Sequence, residues 1–188
     1  MTIEEHPLTP FLPSNSRILF LGSFPPPRNR WCMDFFYPNW INDFWRVMGL
    51  LFFEDKTHFE VPNQKEFDCQ AIVLFAQEQG FAFFDTAQKV CRQRDNASDN
   101  FLEILEPTDI GALLNQIPLC KHIVTTGGKA SQQLMNLLGL AEPPSIGSNV
   151  SCHLAGRYIR WWRMPSTSRA YPLSLSKKAE FYAKLFQE

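Results

Sequence analysis

The sequence predicts an α/β fold, a three-layer α/β/α arrangement around a central, mostly parallel sheet of four strands. Three observations predict it. Four short, largely apolar runs recur along the chain, and three of them close on glycine or aspartate, as buried parallel strands do. Stretches with helical periodicity lie between them, and strands alternating with helices imply right-handed βαβ crossovers. The 188 residues, 45% hydrophobic, suffice for one well-buried core, with no composition shift or long linker. One domain spanning residues 1–188 is expected.

The first strand is Arg17–Gly22, a continuous apolar run needing no alternation because both faces are covered. A helix follows over Asn42–Phe53, where Asn42 is a good cap and Phe44, Val47, Met48 and Leu51 share a face. A second helix is predicted over Gln64–Gln79, with Phe67, Ile72, Phe75 and Ala76 apolar. Gly80–Asp85 is the second strand. Ser98-Asp99-Asn100 reads as the start of a short helix, Phe101–Leu105, and Asp109 starts a turn through Leu114. Lys121–Gly127 is the third strand, and Gly128–Leu138 the helix after it. The fourth strand, Arg157–Met164, carries arginines on both faces, which suits a sheet edge. An amphipathic helix over Ser174–Phe186 closes the chain.

The net charge of −1 conceals a strong asymmetry. Of 19 acidic residues, 12 lie between Glu54 and Asp109. Residues 6–33 hold none but include Arg17, Arg28 and Arg30. Residues 143–179 also hold none but include Arg157, Arg160, Arg163, Arg169, Lys177 and Lys178. An anionic ligand responds to such local fields rather than to the sum, although ordinary solvated charges would read the same way. The five cysteines (Cys32, Cys69, Cys91, Cys120, Cys152) are scattered, with no C-x-x-C and no Cys/His pair at ligand spacing. No metal site is expected, and reduced thiols point to the cytoplasm. The N-terminus shows no secretory signal and no apolar stretch reaches membrane-spanning length, so no membrane association is expected.

Ligands of open α/β sheets bind outside the carboxyl ends of the strands. Attention therefore falls on the segments after Leu21, Phe84, Thr126 and Met164. Gly22-Ser23-Phe24-Pro25-Pro26 is neither a dinucleotide fingerprint nor a Walker loop, and as a bare pattern it equally describes a tight turn. Phe35 to Trp45 is dense in aromatics, as a core segment would be. Asn39 and Asn42 lie among them, however, and an aromatic wall can sandwich a planar base while an amide binds its edge or a water. Asp85 is either a helix cap or a carboxylate aimed into the cleft. Pro165-Ser166-Thr167-Ser168-Arg169 offers hydroxyls and an arginine, which suit a phosphate but also an ordinary turn. Thr126-Gly127-Gly128-Lys129 is a weaker anion site without Walker spacing.

Taken in order, G-S-F-P-P, Asn-x-Phe-Trp from Asn42 to Trp45, G-F-A-F-F-D-T, a Cys–Arg–Ser-Asp pattern from Cys91 to Asp99, and P-S-T-S resemble the uracil-DNA glycosylase superfamily. The branch most similar is the hypoxanthine-DNA (deoxyinosine) glycosylases, near the mismatch-specific uracil glycosylases, and the likeness spans residues 17–170. It implies a monofunctional glycosylase of base-excision repair that flips a deaminated base, uracil or hypoxanthine, out of DNA and hydrolyses its glycosidic bond. The implied partner is DNA holding a deaminated or mismatched base. No cofactor is implied, and one subunit suffices, so a monomer is expected. By motif, Gly22, Ser23, Phe24 and Pro25 face the scissile bond, Phe36 or Tyr37 stacks on the base, and Ser166, Thr167, Ser168 and Arg169 grip DNA phosphate. Asn42 matches the asparagine given a catalytic role in the deoxyinosine branch, and Asp85 falls where base-reading side chains sit.

Two departures shift the expected chemistry. Ser23 stands where most of the superfamily positions water with Asp, Glu or Asn, and Tyr37-Pro38 lies two residues further from Asn42 than the related H-P-R-N-x-F-W pattern has it. The water-positioning candidates are therefore Asn42, Asn39 and Asp85, in that order. A non-catalytic damaged-DNA-binding protein on the same fold is the alternative. A small-molecule hydrolase finds no support, since no G-x-S-x-G elbow is present.

Overall fold

A computed structural model describes residues 2–93 and 102–187. Along the chain run β1 (Thr2–Glu5), β2 (Ile18–Gly22), α1 (Phe44–Phe53), α2 (Cys69–Gln79), β3 (Phe81–Asp85), β4 (Ala87–Arg92), β5 (Leu102–Pro107), α3 (Ile110–Gln116), β6 (His122–Thr126), α4 (Gly128–Leu138), β7 (Ser148–Leu154), β8 (Arg157–Met164) and α5 (Leu175–Ala183). The central sheet has the order β3-β2-β6-β8-β7, parallel except for β7. It holds five strands, one more than the sequence suggested.

The register assigns the helix layers. Phe20, Phe83 and Val124 are paired neighbours and share a face. Phe20 meets Phe44 of α1 edge-on at 5.3 Å, so α1 covers that face. Thr125, one residue on, points to the opposite face, where its Oγ1 lies 2.9 Å from Ser131 Oγ of α4. Both faces are thus covered, which explains why the parallel strands read as unbroken apolar runs. Among the described residues, no helix is long and apolar enough to cross a membrane.

Three expectations are corrected. Arg157–Met164 is not an edge strand, because β7 pairs beyond it. Its arginines on both faces have another cause: Arg157 donates to the carbonyls of Leu114, Ile117 and Pro118 past α3, and Arg163 to that of Pro144. The short helix expected over Phe101–Leu105 is a strand from Leu102 onward; Phe101 and its Ser98-Asp99-Asn100 start lie outside the described residues. The helix expected from Gln64 begins at Cys69. Asp68 caps it by accepting from Ala71 N–H at 3.0 Å, while Phe67 bridges Glu60 in extended conformation.

A second, antiparallel sheet, β1-β4-β5, was not foreseen. Ala87, Val90 and Leu102 form a small apolar cluster with Phe24 from the loop after β2. Arg92, buried, donates to Glu4 at 2.7 Å and to Pro25 O at 2.8 Å. This sheet props the first loop and brings the N-terminal segment to the end of β3.

Candidate functional site

A cleft of about 540 Å³ opens beyond the carboxyl ends of β2, β3, β6 and β8. Three of the four segments singled out by the strand-end rule line it, with Gly22 to Pro26, Asp85, and Ser166 to Ser168; the segment after β6 reaches it only through Thr126, and Gly127, Gly128 and Lys129 lie outside the lining. Phe36, Tyr37, Asn39 and Asn42 complete the set. Of the thirteen residues expected in the site, twelve face one cavity. Arg169 does not; its guanidinium Nε lies 3.3 Å from Asp43 Oδ1, with the side chain about half exposed.

The first loop is held by its own carbonyls. Gly22 O accepts from Thr86 N at 2.8 Å, Ser23 O from Ala87 N at 3.2 Å, and Pro26 O from Trp31 Nε1 at 2.8 Å. Gly22 is required by close approach, since a Cβ there would stand 2.4 Å from Asp85 Oδ1.

The last loop is equally fixed. Asn42 and Ser168 form a β-bridge, and Asp43 N donates to Thr167 O at 2.8 Å. From α5, Lys178 Nζ donates to Asp43 Oδ2 at 3.0 Å and to Ser168 O at 2.8 Å, and Tyr182 Oη donates to Pro165 O at 3.0 Å. Lys178 is fully buried, so the basic stretch that contains it is partly structural. Ser166 Oγ accepts from Ser168 N and Ser168 Oγ from Ala170 N, which leaves each hydroxyl proton to donate outward. Thr167 is buried and contributes chiefly its backbone.

The two asparagines are held by their side-chain oxygens. Asn42 Oδ1 accepts from Phe44 N at 2.9 Å at the start of α1, and Asn39 Oδ1 from Ile41 N at 3.2 Å. Tyr37 is left-handed (φ 54°). Its ring stacks on Phe44 at 4.0 Å, and its hydroxyl lies 2.8 Å from Thr126 Oγ1. Burial pushes the phenol well above its usual range, against the Thr126 bond and with the nearby Asp85 charge, so it remains a proton donor. Two hydroxyls sharing one bond leave one proton for a ligand.

Asp85 is the only carboxylate on the cleft wall among the described residues. Its Oδ2 lies 2.9 Å from His6 Nε2, and its backbone carbonyl accepts from Thr108 Oγ1 at 2.7 Å. The sequence showed neither His6 as the partner of Asp85 nor the Lys178–Asp43 pair. The partners stand too far apart in sequence for any local pattern to link them.

No protein-family model and no curated protein matches the sequence. The structure matches the solution NMR structure of a protein from Methanosarcina acetivorans described as a "putative Uracil DNA glycosylase", with a TM-score of 0.64, over 100% of this chain and 100% of that one, at 18% identity. The two chains share a fold. At that identity the likeness speaks for architecture, and the chemistry of the cleft rests on its own residues.

Proposed function

We propose that this protein is a monofunctional DNA glycosylase that flips a deaminated base, uracil or hypoxanthine, out of DNA and cuts its glycosidic bond with water. One observation carries the reading: a single cleft joins a hydroxyl-bearing, backbone-pinned loop to an aromatic wall with two held carboxamides and one carboxylate. That is the order of groups a flipped nucleotide needs. Ser166 and Ser168 donate to phosphate, with Arg30 on the cleft wall and the half-exposed Arg169 beside the loop supplying positive charge. Asn42, bridged to Ser168, then stands beside the sugar and positions the attacking water; Asn39 is the next candidate. The base passes inward along Phe24, Phe36 and Tyr37 to Asp85, which meets its edge.

In the reaction, water oxygen bonds to the sugar anomeric carbon as the carbon–nitrogen bond breaks. The base leaves with the bonding pair, the Tyr37–Thr126 hydroxyl pair offers a donor to that charge, the attacking water releases its extra proton to solvent, and the base anion takes one up as it is freed. No metal or cofactor enters the scheme, and a monomer acting among reduced cytoplasmic thiols suits it.

The test is incubation of single-lesion duplexes with the protein, then alkali. Cleavage at uracil or hypoxanthine, reduced about 100-fold or more in Asn42→Ala, supports the reading. Tight, salt-dependent binding without strand cleavage would instead indicate the damaged-DNA-binding protein.

A further inference from the structure

Behind the cleft wall, Asp85 pairs with His6, a residue delivered by the second sheet. β1 ends at Glu5, and His6 N donates to Gln88 O at 2.8 Å. The imidazole is fully buried, with ring centroids 4.3 Å from Phe84 and 5.3 Å from Phe24. Its Nε2 faces Asp85 Oδ2 at 2.9 Å, and its Nδ1 lies 2.9 Å from Leu8 O and 3.2 Å from Leu8 N. Both ring nitrogens are engaged, so the ring cannot turn without losing partners. Asp85 Oδ1 has no hydrogen bond among the described residues and rests against Gly22 on the cleft lining.

We propose that His6 is a positioning residue that presents Asp85 Oδ1 to the flipped base as a fixed acceptor, so that the site takes bases offering a ring N–H there. The inference rests on the glycosylase reading above. Deamination replaces the bare N3 of cytosine by N3–H in uracil, and the bare N1 of adenine by N1–H in hypoxanthine. A carboxylate accepts from either N–H and repels the lone pair of either parent base. One acceptor can therefore read what two deaminated bases of different ring size have in common. His6 donates a hydrogen bond from Nε2–H to Oδ2, which stops the carboxylate from rotating and settles which oxygen meets the base. His6 itself does not touch the base.

Two variants separate positioning from packing. His6→Phe keeps an aromatic ring but loses the donor, whereas His6→Gln places an amide N–H near the position of Nε2. Single-turnover cleavage of uracil and hypoxanthine duplexes is measured beside binding of a duplex holding a stable abasic analogue, which has no base to read. His6→Phe is expected to slow cleavage of both about 10- to 100-fold, with abasic binding within about 3-fold and His6→Gln recovering most of the rate. A uracil methylated at N3 is expected to be cut at least about 100-fold more slowly than uracil by wild type, a penalty that shrinks in His6→Phe. If His6→Phe does not fold, the wild-type penalty against N3-methyluracil and cleavage by His6→Gln close to the wild-type rate decide the matter. Unchanged cleavage in His6→Phe, no recovery in His6→Gln, or wild-type cleavage of N3-methyluracil as fast as uracil would each overturn the positioning role while leaving the glycosylase reading intact. Failure of wild type on every base would sink that reading instead.

Discussion

Gly22→Ala probes the geometry of the cleft with the smallest possible change. The added Cβ would lie 2.4 Å from Asp85 Oδ1, 3.5 Å from its Cγ and 3.9 Å from Tyr37 Oη. Ordinary contact begins at 3.4 Å, so the carboxylate must retreat by about 1 Å. It has little freedom to do so, since Asp85 pairs with Gly22 in the sheet and with His6 behind. A misplacement of about 1 Å in a positioned group costs on the order of 100-fold in rate, and overpacking costs about 1–3 kcal/mol of stability. Single-turnover cleavage and thermal denaturation measure the two. The decisive control is the double variant: with Asp85→Ala the obstacle is gone, and adding Gly22→Ala should cost little further activity or stability. Full activity in Gly22→Ala, or equal and additive losses in both backgrounds, would refute the claim that the glycine exists to admit the carboxylate.

Two further predictions concern groups away from the reacting bond. Lys178→Met leaves Asp43 with only the half-exposed Arg169 and should cost about 3–5 kcal/mol, lowering Tm by roughly 10 °C. Adding Asp43→Asn should recover part of the loss; a Tm within about 2 °C of wild type would show that the pair does not hold the last loop. Burial pushes the Cys120 thiol up to about 11, against a backbone bond to His122 and the Arg157 charge. At pH 8 only about 0.1% of it is thiolate, so it should react with a disulfide reagent only on unfolding, with half-ionisation near pH 11. Because the unfolded thiol ionises near 9, this group lowers stability as pH rises from 9 to 11. Native-state labelling of Cys120 as fast as that of the half-buried Cys69 would contradict it.

The four parallel strands were legible because burial on both faces leaves a continuous apolar run, as in Ile18 to Leu21 and Phe81 to Phe84. The cleft followed from them, since chain ends of parallel strands converge on one side of a sheet. β7 left a weaker trace: Val150, Cys152 and Leu154 alternate with Ser151 and His153, but Arg157 and Arg160 drew attention to an edge instead. Arg157 misleads because a guanidinium group can satisfy backbone carbonyls as readily as solvent or phosphate. The second sheet was illegible for a different reason. β1 is mostly polar, both β1 and β5 are mostly exposed, and they are held by partners far along the chain, such as Arg92 on Glu4. His6 with Asp85 and Lys178 with Asp43 are likewise long-range pairs. Charge mapping counted Lys178 as available to an anion, while the fold spends it on a buried carboxylate.

One reaction defines the proposed activity: release of an intact base from DNA without strand scission. Chromatography of the products from a duplex with a single uracil or hypoxanthine should show the free base and an abasic strand in equal amounts. The same duplex with cytosine or adenine should remain unchanged. Purified protein that binds these duplexes yet releases no base from any of them would contradict the central claim.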